Sequence, residues 1–320
     1  MLGNNIDASG LSFTPISSFY GTLDGAGYTI SGLTINDSSP SSLYVGLFGQ
    51  TVNAQIQNIV LANESVDVPA SIPGTVRGVG GLVGSAQQTT ISGVVTSGNV
   101  LVGGSYSGPT GGLVGFKFGG TVENSSTSAS VTGGASSGDI GGLVGGTQYG
   151  FIRNSYATGR VTGGDNSFNI GGLVGTNSNN GIIDSYATGA VSAGGHSGTL
   201  GGLVGNNEGP IYTSYASGAV RTGASSLGSL VGALGGLVGN NGSGGSISNS
   251  YAVGSVTGNT GVTDIGGLAG DSDGPMTNVY AAETINPNGG VNVGGLVGTD
   301  FSALYCIPNP CDGSISHGYW

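Results

Sequence analysis

The chain has 320 residues, of which 70 are glycine and only 7% are charged, where soluble domains average about a quarter. Glycine at this density without a three-residue period excludes collagen, and 37% apolar content without a long apolar run excludes both a membrane span and a charged disordered tail. Net charge is −11, and the five cations Arg77, Lys117, Arg153, Arg160 and Arg221 are too scattered to track phosphates, so nucleic acid and membrane insertion are not expected.

Residues 1–44 read as one or more N-terminal coils, or a cap, leading into a repeat region. Met1 is followed by neither a basic segment nor an apolar one, so no secretion signal is read, and the chain is expected to be a piece of a longer protein. From 45 to 300 one pentapeptide dominates. Gly-Gly-Leu-Val-Gly begins at 80, 111, 141, 171, 201, 235 and 294, with relaxed versions at Val45–Gly49 and Gly266–Gly270. Its leucines are Leu47, Leu82, Leu113, Leu143, Leu173, Leu203, Leu237, Leu268 and Leu296, spaced 28 to 35 residues apart. Nine units at a period near 30 mark a solenoid.

The unit Ile170–Thr199 holds three apolar pieces separated by Gly, Asn and Ser turns: Ile-Gly-Gly-Leu-Val-Gly, Ile-Ile-Asp-Ser-Tyr-Ala-Thr-Gly and Ala-Val-Ser. They are strand-length, and none has helical spacing. Other slots repeat with the leucine. Tyrosine recurs at Tyr156, Tyr186, Tyr215, Tyr251 and Tyr280. Two residues earlier stand Asn58, Asn124, Asn154, Asp184, Thr213, Asn249 and Asn278, and valine recurs at Val131, Val161, Val191, Val220 and Val256. Stacked coils turn each slot into a ladder. The Asn ladder is expected at corners, its amides bonding the next coil's backbone. Ile140 and Leu143 would face opposite sides of a straight strand, so a bend at Gly-Gly is expected to bring both inward, with glycine supplying the dihedrals. Val68–Val76 and Leu227–Ala233 interrupt the period and are expected to protrude as loops.

The last segment, 301–320, contains Cys306 and Cys311. Their four-residue spacer does not fit CxxC redox chemistry, and no further Cys or clustered His completes a zinc site, so a local structural disulfide is expected.

These residues resemble a known pattern. Gly-Gly-Leu-Val-Gly, a short loop, then Ile-x-Asn-Ser-Tyr-Ala-x-Gly-x-Val is similar to the GLUG motif of large secreted surface proteins, including filamentous-haemagglutinin-like bacterial adhesins. The resemblance implies an all-β fold, a single right-handed parallel β-helix (β-solenoid) of about 30 residues per coil. It also implies a secreted or cell-surface setting, in which a non-catalytic structural or adhesive role is expected. It implies no particular ligand.

Function is sought in what the repeat does not absorb. Clustered carboxylates would be needed for a polysaccharide-cleaving β-helix, but Asp139 and Asp264 share a slot four units apart. Asp271 and Asp273 have a faint calcium-loop spacing without its terminal Glu, so no cofactor is expected beyond calcium at that loop. The five tyrosines are candidates for an aromatic glycan platform. Their competing reading is a structural stack. Partners to be expected are a host-surface or glycan ligand and other copies of the chain, end to end or laterally.

Overall fold

The computed structural model describes residues 1–37, 43–69, 77–104, 108–223, 231–300 and 315–320. Among them there is no helix, and therefore none able to cross a membrane. The chain winds as a parallel β-solenoid of about eight turns with ~31 residues per turn. Among the described residues, its strands lie in three sheets of nine, ten and 24 strands.

A regular coil contributes five short strands where the sequence suggested three pieces. Ile140–Gly141 lies in the nine-stranded sheet and Val144–Gln148 in the ten-stranded sheet. Phe151–Arg153, Tyr156–Ala157 and Val161–Gly163 lie in the third. Each pairs in parallel with its equivalent 30 residues on: Ile140 with Ile170, Val144 with Val174, Ile152 with Ile182, Tyr156 with Tyr186, Val161 with Val191. Register held from coil to coil, apart from a shift between Thr96 and Gly98, is what converts sequence slots into axial ladders.

The Gly-Gly pair is the bend. Ile140, Leu143 and Val144 are all fully buried. None of Gly141, Gly142 and Gly145 has a left-handed φ, so the requirement is for space and not, as expected, for glycine's dihedrals. A Cβ on Gly141 would lie 2.0 Å from the Val144 carbonyl oxygen, and one on Gly142 would lie 2.1 Å from that of Gly172 and 2.9 Å from Ala157 Cβ. The corner also economises on acceptors. The N–H groups of Leu143 and Val144 both donate to the Leu173 carbonyl, at 2.9 and 3.1 Å. The same two-donor arrangement recurs at Leu113, Leu143, Leu203, Leu237, Leu268 and Leu296, so the bend leaves no orphaned amide.

The two apolar residues flanking the glycines enter different interiors. Leu143 and Val144 belong to a main column that runs the length of the solenoid, with Ile152 and Ala157. Ile140 joins a second column, Val131, Val161, Val191, Val220 and Val256 with Ile170, Leu200, Leu234 and Ile265. The chain is thus pinched between Gly142 and Ala157, with a separate lobe beyond the pinch.

At the N-terminal side, Ile6–Asp7 pairs with Ile30–Ser31, and Thr22–Asp24 with Gln55–Gln57, so residues 1–37 stack in register as a further layer. At the other side Ile315–Tyr319 pairs with Met276–Tyr280. Cys306 and Cys311 lie outside the described residues, as does most of both expected loops. Where those loops are described they are corrected: Val68 ends the strand Val60–Val68, and Val231–Ala233 belongs to Val231–Gly235, which pairs with Val262–Gly266.

Candidate functional site

The slot two residues before tyrosine is a backbone device. Asn58, Asn124, Asn154, Asp184, Thr213, Asn249 and Asn278 all have φ between 46° and 52°, the left-handed region in which Asn and Asp are tolerated best after glycine. This corrects the expectation that their amides bond the next coil's backbone. Asn278 Nδ2 donates to Asn249 Oδ1, a side-chain contact at 3.1 Å. The inter-coil backbone bonds come from the following residue, a serine whose role the sequence reading missed. Ser155 N–H donates to Ser185 Oγ at 3.2 Å, while Ser155 Oγ donates to the Arg153 carbonyl at 2.8 Å. Ser125, Ser185, Ser214 and Ser250 repeat the pattern. Its visible signal was the recurrence of serine before the tyrosine at Tyr156, Tyr186, Tyr215 and Tyr251.

That corner throws the tyrosines outward into a column. Ring centroids of Tyr156, Tyr186, Tyr215, Tyr251 and Tyr280 are separated in turn by 4.7, 4.8, 5.0 and 5.3 Å, with interplanar angles of 2°, 7°, 2° and 22°. Burial first, and neighbouring phenols second, push the hydroxyls of Tyr186 and Tyr215 above the usual tyrosine range. Both faces of Tyr186, Tyr215 and Tyr251 are covered by other tyrosines. A flat glycan platform needs open faces, so the middle of the column offers solvent only ring edges and hydroxyls.

A second polar ladder lies inside. Asn177 Nδ2 donates to Asn207 Oδ1 at 2.7 Å, Asn207 Nδ2 to Asn241 Oδ1 at 2.9 Å, and Asn241 Nδ2 to Ser272 Oγ at 3.0 Å. Lys117 occupies the same interior row, two rungs before Asn177. Its side chain is fully buried. Lys117 Nζ donates to the Tyr149 carbonyl at 2.7 Å, to Asn180 Oδ1 at 2.9 Å and to the carbonyls of Gly119 and Gly120 at 3.2 and 3.4 Å. It ties three successive coils, and burial pushes its pKa down to about 7.

The acids are more buried than their slots suggested. Asp139 is held by Thr176 at 2.6 Å and Asn169 at 2.9 Å, and burial raises its pKa despite both bonds. Asp264 accepts from Asn292 and Thr299. Asp271 is pushed up to about 7, by burial and then by Asp264 and Asp273, so the structure brings Asp264 to the Asp271–Asp273 pair. No three His, Cys, Asp or Glu among the described residues form a metal-binding group, including around the calcium candidates Asp271 and Asp273. Glu64 and Glu283 stand against the corner glycines Gly81 and Gly236, and none of their carboxyl oxygens has a hydrogen-bond partner among the described residues. Burial raises Glu64 well above the carboxylate range and Glu283 to about 7.

Three comparisons bear on this geometry. The GLUG motif matches residues 136–162, one coil of the regular region. Halomucin of Haloquadratum walsbyi is 37% identical over 141 residues, 41% of this chain, and the match spans about 1% of that protein's length. The crystal structure of a candidate immunoglobulin A1 protease from Bacteroides ovatus aligns with 99% of this chain and 75% of its own, at 19% identity and a TM-score of 0.49.

Proposed function

We propose that the chain is a non-catalytic structural segment of a secreted or cell-surface protein, a stiff rod that holds loops and neighbouring segments at a distance. The observation that carries this reading is the continuous parallel pairing: every sheet continues through about eight turns, ~40 Å at one strand spacing per turn. Corner amides throughout, and serine hydroxyls and interior amides in the coils that carry them, bond to adjacent coils. Resistance to bending results, because bending must stretch several ladders together. The halomucin likeness supports an extracellular setting for the repeat. The acids offer catalysis little purchase, since Asp139 and Asp264 are each engaged by an amide and a hydroxyl.

Digestion of the native chain with a broad-specificity protease tests the rod. The block of coils from Val114 to Thr222 is expected to survive intact. Cleavage spread through the block at rates typical of an unfolded chain refutes the reading. Turnover of an acidic or neutral polysaccharide would remove its non-catalytic part, and light scattering at increasing concentration reports whether rods join end to end or laterally.

A further inference from the structure

The tyrosine column does not end as it begins. Its spacing widens at each step from 4.7 to 5.3 Å, and the last step tilts by 22°. Backbone register supplies a sixth member, since Tyr280 pairs with Tyr319. Yet those two rings make no ring contact. Instead an open slot of about 460 Å³ lies there, lined by Asn278, Val279, Tyr280, His317 and Tyr319. Here, unlike in the middle of the column, a tyrosine face is free of tyrosine neighbours on one side. His317 has a left-handed φ of 53°, as does the Asn278 beside it in register, at 51°.

We infer that this slot binds a single neutral pyranose ring of a glycan. A pyranose presents C–H groups on its faces and hydroxyls around its rim. Tyr280 and Tyr319, both exposed, offer apolar surface for the faces, in the manner of ring–ring packing. At the rim Asn278 Nδ2 is already engaged with Asn249, leaving its Oδ1 to accept from a sugar hydroxyl, and His317 adds a ring nitrogen that donates and one that accepts. An aromatic guest would leave those polar groups without partners. An acidic sugar would meet a chain of net charge −11 with no Lys or Arg among the lining residues. A site of one ring and a few hydrogen bonds binds with Kd on the order of 1 mM, so useful avidity would come from many such segments along a longer protein.

Saturation-transfer NMR on the whole 320-residue chain, with methyl pyranosides of glucose, galactose, mannose and N-acetylglucosamine, tests this. Saturable transfer to the ring C–H protons of at least one neutral pyranoside is expected, with none to sialic acid. Tyr319→Ala and His317→Ala should each weaken binding about tenfold or more while leaving the circular dichroism melt unchanged. Tyr156→Ala, at the far end of the column, should bind as the parent does. The assignment is overturned if no neutral pyranoside gives saturable transfer, if binding survives in Tyr319→Ala, or if Tyr156→Ala abolishes it. Binding of phenol with no sugar bound would overturn it equally, identifying an aromatic-ring site.

Discussion

The coils of Leu47 and Leu82 and those of Leu143, Leu173 and Leu203 carry the same corner pentapeptide around different interiors. In the first two, the long face is one continuous strand, Val60–Val68 and Val95–Val102, and the valines Val66 and Val100 belong to the main core. In the later three, that face is split at Ala-Thr-Gly or its Ala-Ser-Gly equivalent, and the equivalent valines lie in the second column. The slot before tyrosine is Ile59 and Val94 in the first pair and serine in the others. Small size makes the split possible. Gly159 and Gly189 stack so closely that a Cβ on Gly189 would lie 1.8 Å from the Gly159 carbonyl oxygen, and Ala157 packs on Gly142. In the first coils Glu64 stands where that pinch would form. The shared pentapeptide therefore sets the pitch and the corner, and the residues opposite it set the cross-section.

The largest expected effect is in the pinched region. Leu173→Asp buries a charge in a coil with neighbours on both sides and should cost about 4 kcal/mol or more. Hydrogen exchange should show protection lost in the coils of Leu143 and Leu203 but kept in that of Leu47. Unchanged melting, or loss confined to one coil, would mean the coils are not coupled. A sharper test uses one slot in both regions. A Cβ on Gly145 would lie 2.4 Å from the Thr110 amide nitrogen, while one on Gly49 would come no nearer than 3.1 Å to any neighbour. Gly145→Ala should cost about 3 kcal/mol and Gly49→Ala about 1 kcal/mol. Equal losses in denaturant titrations would deny the difference in clearance at this slot.

Protonation separates the regions next. Glu64, Asp139, Asp271 and Glu283 bind their protons more tightly folded than unfolded. Their contribution is complete below the ordinary carboxylate range and is lost as pH rises through their raised values, about 7 for Asp271 and Glu283. Lys117 has the opposite sign. Its folded value of about 7 lies below its unfolded 10.5, so its contribution is present above 10.5 and lost as pH falls through 7. Scanning calorimetry should find Tm falling from about pH 4.5 to 7 and recovering above it. Glu64→Gln should flatten the acid limb and Lys117→Met the basic one; a flat profile in the parent would contradict both. The smallest effect belongs to the surface pair Arg153–Glu123, 3.0 Å apart and partly exposed. Arg153→Ala should change stability by less than about 1 kcal/mol, vanishing in high salt.

The solenoid was legible because its signal is repetition. Leucine spacing alone returns the pitch, and the Ile-Gly-Gly-Leu spacing returns the bend. What stayed hidden depends on distance across the coil. Nothing in a one-dimensional period says that Ile140 and Leu143 enter separate columns, because the pinch is made by Ala157, more than a dozen residues on. That Lys117 points inward was not legible, because the inward or outward sense of its position depends on the corner before it. Tyrosine periodicity predicted stacking, but only the ring geometry shows that stacking consumes the faces a flat platform would need, and that the column opens at Tyr280.

The Lys117 tie bears on how such an array grows. Most coils here differ from their neighbours by exchanges within a slot, so unequal crossing-over that inserts or deletes a unit beyond Asn180 leaves every ladder intact. Lys117, Tyr149 and Asn180 need one another at fixed intervals of one and two turns. A recombination breakpoint between Lys117 and Asn180 would strand a buried amine. Copy number is therefore free to drift on one side of that interval and is pinned within it, and natural length variants should keep these three residues at constant separation.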